Sequence, residues 1–186
     1  MPETPVRLAV VVGSAREGRF APTVLRWFAR EADRHGGFEI DVLDTAELAL
    51  PLGMSGIGAE PVAARLAEAD AFVVITPEYN HSYPAALKNL VDWFHGEWHA
   101  KPVGFVSYGG ISGGLRAVEH LRQVFAELHA VTIRETVSFH GAHGRFDQNG
   151  DPSDPAAATA AKALLDQLEW WARALQDARG VRAYPA

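Results

Sequence analysis

Three short stretches concentrate the residue types that could do chemistry, and each follows an apolar run. The first is Gly13-Ser14-Ala15-Arg16-Glu17-Gly18-Arg19. It supplies backbone N–H groups, a hydroxyl and two guanidinium groups where a strand gives way to a helix. That combination can cradle a phosphate, because helix N-termini attract anions and Arg grips phosphate oxygens bidentately. The second is Thr76-Pro77-Glu78-Tyr79-Asn80-His81-Ser82-Tyr83-Pro84. Its prolines stiffen a loop whose N–H and C=O groups can read the hydrogen-bonding edge of a planar ring, while its tyrosines cover apolar surface. The third, Ser107-Tyr108-Gly109-Gly110-Ile111-Ser112-Gly113-Gly114, opens an amphipathic helical segment. Glycine lets a backbone approach a flat ligand closely, and the positive end of the following helix stabilises negative charge there.

The first loop resembles two better-known phosphate motifs without satisfying either. Gly13 and Gly18 have P-loop spacing, but Arg19 stands where the Lys belongs and Phe20 where the Mg²⁺-binding hydroxyl belongs. A dinucleotide fingerprint requires three glycines in G-x-G-x-x-G, and the middle one is missing, although Asp41 or Asp44 could have served a ribose. A terminal monophosphate remains, which fits FMN better than FAD or ATP. Two further patterns carry less. His95 and His99 lie four apart, but Gly96 interrupts the helix that a zinc site of that kind needs, and no Glu follows His95 directly. Asp147, Asn149 and Asp151 alternate as in a calcium loop, yet Pro152 occupies the Gly position and Ala158 the bidentate Glu position, so the segment reads as a turn.

The elements that must position these loops alternate along the chain. Apolar runs at 8–13, 38–43, 71–76, 103–108 and 131–139 predict five strands, with helical spacing at 17–35, 61–69, 84–95 and 113–129 between them. Leu115, Val118, Leu121, Phe125 and Leu128 share one face of the fourth helix, with Arg116, Glu119 and Glu127 on the wet face. A final helix, started by Ser153-Asp154-Pro155 and reaching about residue 178, places Leu164, Leu165, Leu168, Trp171 and Leu175 at packing positions. This alternation is the pattern of an α/β fold with a doubly wound parallel sheet and helices on both faces. Ligands in such sheets bind at the carboxyl ends of the strands, where all three loops fall.

Composition narrows the function further. A chain of 186 residues suits one domain, 1–186. A formal charge of −6 argues against nucleic acid as a partner, since that surface needs clustered Lys and Arg. The absence of cysteine excludes disulfides, thiolate metal sites and cysteine nucleophiles, so redox chemistry must come from a bound cofactor. Met1-Pro2-Glu3-Thr4-Pro5 has no basic region and the apolar run after it is too short for a signal peptide or a membrane span, so a cytoplasmic protein without membrane contact is expected.

At these residues the chain resembles the NADPH-dependent FMN reductase family, flavodoxin-like proteins that include quinone, azo-dye and chromate reductases. The resemblance is carried by Gly13-Ser14-Ala15-Arg16, by Pro77-Glu78-Tyr79-Asn80 with Leu87-Lys88-Asn89 and Asp92-Trp93, and by Tyr108-Gly109-Gly110 with Ser112-Gly113-Gly114. It spans about residues 7–140. It implies a flavodoxin-like sheet of five parallel strands, FMN as cofactor, NADPH or NADH as donor, and a flavin, quinone or other small molecule as electron acceptor. Ser14, Arg16 and Arg19 would hold the FMN phosphate; Pro77, Glu78, Tyr79 and Asn80 the isoalloxazine ring; Ser107, Tyr108, Gly109, Gly110, Ser112 and Gly113 the pyrimidine side and ribityl chain. Hydride would pass from nicotinamide C4 to flavin N5 and on to an acceptor in the same stacking site, with no side chain acting as acid or base. His81 would lie close enough to touch cofactor or substrate, or simply face solvent. The departure is Arg19-Phe20-Ala21, where many members carry Ser and Asn. Family members are similar in forming homodimers or homotetramers, for which Trp93, Phe94 and Trp98 would suit the interface; burial within one subunit would explain them equally well. Two other classes share the fold, a flavodoxin-type electron carrier and a flavin-binding redox sensor. Carriers usually present a strongly acidic face, and 23 acidic against 17 basic residues is only mildly acidic.

Overall fold

The computed structural model describes residues 4–55 and 58–185; residues 1–3 of the amino-terminal stretch read above lie outside these. Strands β1 (Val6–Val12), β2 (Phe38–Asp44), β3 (Ala71–Pro77), β4 (Pro102–Gly109) and β5 (Val131–His140) form one parallel sheet in the order β2-β1-β3-β4-β5. This is the flavodoxin-like order, with its switch point between β1 and β3. The three central strands are almost continuously apolar because both of their faces are covered, and every residue of β3 is buried. The edge strands β2 and β5 carry exposed positions between buried ones.

Helices α1 (Ala21–His35) and α5 (Ala156–Val181) cover one face of the sheet; α2 (Glu60–Glu68), α3 (Ala85–Trp93) and α4 (Leu115–Glu127) cover the other. The first face buries Trp27 and Phe28 of α1 against Leu164, Leu165 and Leu168 of α5. The second buries Phe72, Phe105 and Phe125 around Trp98, whose ring centroid lies 4.6 Å from Phe72 and 5.4 Å from Phe125. Trp98 and Phe94 are therefore core residues of this chain, and Trp93 donates its indole N–H to the Pro51 carbonyl at 3.0 Å. No helix among the described residues is long and apolar enough to cross a membrane.

Helix boundaries differ from the periodicity where local chemistry intervenes. The first helix begins at Ala21 rather than residue 17, with Pro22 in its first turn, where a missing N–H breaks no helical bond. Residues 14–20 thus remain an open loop. The last helix extends to Val181, beyond the expected residue 178.

Candidate cofactor cleft

The three loops rise from the carboxyl ends of β1, β3 and β4 and enclose a cleft of about 420 Å³. Of the residues singled out in the sequence, Arg16, Arg19, Pro77, Glu78, Tyr79, Tyr108, Gly109 and Gly110 line it. Ser14, Asn80, Ser107, Ser112 and Gly113 do not line it. A separate hollow of about 360 Å³ between β5 and the start of α5, lined in part by Val137, Phe139, Arg145 and Asp154, is faced by none of the three motifs.

The loop after β1 is held at its root and open at its crown. Gly13 N–H donates to the Ile75 carbonyl at 2.9 Å, and Ser14 is fully buried with its Oγ 2.8 Å from Tyr79 Oη. The backbone N–H groups of residues 15–18 have no acceptor among the described residues. Arg16 is exposed, lies 5.6 Å from the centre of the Tyr79 ring and has no carboxylate partner. Arg19 behaves differently. It pairs bidentately with Asp44 at the end of β2, at 2.7 Å through Nη2, and Nη1 also donates to the Ser14 carbonyl at 2.5 Å. Hydrogen bonding to Asp44 holds the Arg19 guanidinium above its ordinary pKa despite its burial.

The loop after β3 folds back as a two-residue hairpin. Tyr79 and Ser82 exchange backbone bonds of 2.8 and 3.1 Å, with Asn80 at φ 50° and His81 at φ 70° between them. Positive φ at both central positions is the type I′ turn. Asn tolerates this region, whereas the second position, held by His81, is the one at which such turns favour glycine. The turn points Asn80 and His81 into solvent, away from the cleft lining. Glu78, just before it, has a side chain only 5% exposed. Its Oε2 accepts the Arg116 backbone N–H at 3.2 Å and its Oε1 accepts Arg116 Nε at 2.5 Å, with Nη2 alongside. Burial pushes this carboxyl up, but the bonds from Arg116 and Ser112 outweigh it and hold Glu78 below the ordinary carboxylate range. Arg116, placed on the wet face of its helix by periodicity, instead turns onto Glu78 and ties the second loop to the start of α4.

The loop after β4 is braced from beneath. Ser107 Oγ and Ser138 Oγ each donate to the Gly113 carbonyl at 2.8 Å. Gly114 sits at φ +89° with Ser107 Cβ only 2.6 Å from where a side chain would begin, so glycine is required for this approach. Gly109 and Gly110 are left facing the cleft.

Tyr108 forms part of the cleft wall beside Phe20, 6.0 Å between ring centroids. The residue is 5% exposed, and its Oη has no hydrogen-bond partner among the described residues. Burial raises its phenol pKa well above the ordinary value. The cleft also includes Phe20, Ala142 and His143, which the sequence reading missed. Ala142 and His143 follow β5, so their position at a strand's carboxyl end was the available signal.

Known proteins resemble this chain in sequence and in fold. Residues 6–144 match the family described as NADPH-dependent FMN reductase. An NADPH:quinone oxidoreductase of Arabidopsis thaliana is 32% identical over 185 residues, covering 92% of this chain and 94% of that protein. An NAD(P)H-dependent FMN reductase of Schizosaccharomyces pombe is 35% identical over 122 residues, covering 58% of this chain and 60% of that one. Among solved structures, FerB, a flavoenzyme NAD(P)H:(acceptor) oxidoreductase from Paracoccus denitrificans, has a TM-score of 0.73 at 23% identity, covering 91% of this chain and 98% of that one. The chain belongs to the NADPH-dependent FMN reductase family and is an oxidoreductase of that FMN- and NAD(P)H-dependent kind.

Proposed function

We propose that the cleft holds FMN with its phosphate at residues 14–19 and its ring between Pro77-Glu78-Tyr79 and Gly109-Gly110, and that the protein passes reducing equivalents from NADPH or NADH to a quinone, a flavin or another small acceptor. The observation that carries this reading is the crown of the first loop. Four successive backbone N–H groups without acceptors, beside an Arg16 without a carboxylate partner, form an anion site that fits a terminal monophosphate.

Bound FMN supplies the hydride acceptance and donation that no side chain of this cysteine-free chain provides. The protein's own residues set its frame. The Glu78–Arg116 pair fixes the separation of the second and third loops, and thus the width of the slot. Gly109 and Gly110 keep the slot free of side chains where a planar ring must enter. The amino end of α4 lies behind them and favours negative charge on the ring edge. Tyr79, tied to Ser14, supplies apolar cover next to the anion loop.

A quinone as acceptor follows the Arabidopsis relative, which covers nearly the whole chain. We also propose that the chain, 1–186, works as one domain in the cytoplasm and as a homodimer or homotetramer. Ile111 and Leu115, 94% and 45% exposed beside the cleft, are apolar residues that a partner subunit would cover. The test is the visible spectrum of the purified protein with FMN during anaerobic addition of NADPH and then NADH. Bleaching within turnover time supports the reductase and names its donor; a bound flavin that stays yellow supports a carrier or sensor; no flavin binding overturns the reading.

A further inference from the structure

We propose that the Tyr108 hydroxyl is a donor to the flavin phosphate, adding to a first loop whose Arg19 is committed to Asp44. The inference rests on the cofactor reading above and assigns one specific bond within it. The sequence resemblance put Tyr108 with the pyrimidine side and ribityl chain. Its side chain lies close to Ser14, Tyr79, Arg19 and Asp44, at or beside the anion loop.

Of the three side chains expected to hold a phosphate, Arg19 is committed to Asp44 and the Ser14 carbonyl, and Ser14 Oγ already shares a bond with Tyr79 Oη. The Asp44 charge is balanced by that bidentate pair, so it leaves no uncompensated anion to repel a phosphate. Against this, the Tyr108 oxygen is the buried side-chain polar atom without a partner among the described residues. Buried hydroxyls are normally hydrogen-bonded, and an orphaned one destabilises the free protein. Its pKa, raised by burial, keeps it a neutral donor across the working pH range, and a neutral O–H facing a phosphate oxygen makes a short charge-assisted bond. Tyr108 lines the same cleft as Arg16, Gly18 and Arg19, so a phosphate bound at the open loop lies on its side of that cleft.

Tyr108→Phe removes a single oxygen and keeps the ring. Binding of FMN and of riboflavin, which lacks the phosphate, is measured by quenching of flavin fluorescence, alongside melting of the flavin-free protein. The expected result is a loss of about tenfold or more in FMN affinity with riboflavin affinity unchanged within about twofold, as a bond to a charged acceptor implies. The flavin-free variant should melt at the same temperature as the wild type or higher, since an orphaned hydroxyl has been deleted. Equal loss for both flavins would overturn the proposal by moving the contact to the ribityl chain or ring, and so would unchanged FMN affinity. Failure of the wild-type protein to bind FMN would instead overturn the cofactor reading itself.

Discussion

Replacing Glu78 with Gln should cost about 2 kcal/mol of stability at neutral pH, and most of that loss should disappear in acid. The carboxylate is 5% exposed and takes its bonds from the Arg116 side chain and backbone, whereas the Arg116 side chain is 42% exposed. Hydrogen bonds to charged groups contribute about 1.5–3 kcal/mol each, and breaking a fully buried pair costs about 3–5 kcal/mol. Solvent screening of the half-exposed guanidinium reduces the sum to about 2 kcal/mol. For a chain of this size that corresponds to a fall of about 4–8 °C in melting temperature. The sign of the pH dependence follows from the depressed pKa of Glu78 in the folded state. Its contribution is fully present above the unfolded value near 4.5 and is lost as pH falls through the lower folded value. Gln does not titrate, so the stability gap between wild type and Glu78→Gln, measured by urea unfolding from neutral pH downward, should be constant to about pH 5 and then close. A gap that stays level below that range, or no gap at neutral pH, would refute the assignment of Glu78 as the charged tie between the two loops.

Two further outcomes follow from groups away from the cleft. Lys101 is 7% exposed, donates to the Leu66 and Ala67 carbonyls at 2.8 Å each at the end of α2, and is lowered by burial to about 8. Since the unfolded chain holds that proton to about pH 10.5, the stability of the wild type relative to Lys101→Met should rise by about 3 kcal/mol between pH 8 and 10.5, read by urea unfolding at each pH. At the hairpin tip, His81→Gly should complete the favoured Asn-Gly turn, adding about 1 kcal/mol and raising the melting temperature by about 2–4 °C in calorimetry.

Much of the fold was legible in the residues themselves. A strand covered on both faces can contain almost nothing polar, so β1, β3 and β4 announced themselves as unbroken apolar runs, and the helices between them by their 3.6-residue spacing. The three loops were legible for a related reason: glycines, prolines and clustered polar groups directly beyond a buried strand have few purely structural uses. What each side chain in those loops does was decided by tertiary structure. Arg19 and Asp44 are 25 residues apart and meet only because β2 pairs with β1. Glu78 and Arg116, 38 apart, meet because β3 pairs with β4 and delivers the start of α4 beside the second loop. The direction of the Tyr108 side chain, the open amides of residues 15–18 and the entry of His143 into the cleft likewise depend on where neighbouring strands end. Local sequence sets backbone periodicity and turn type through short-range sterics, whereas the pairing of charges and the orphaning of a hydroxyl depend on which distant groups the sheet brings within about 3 Å.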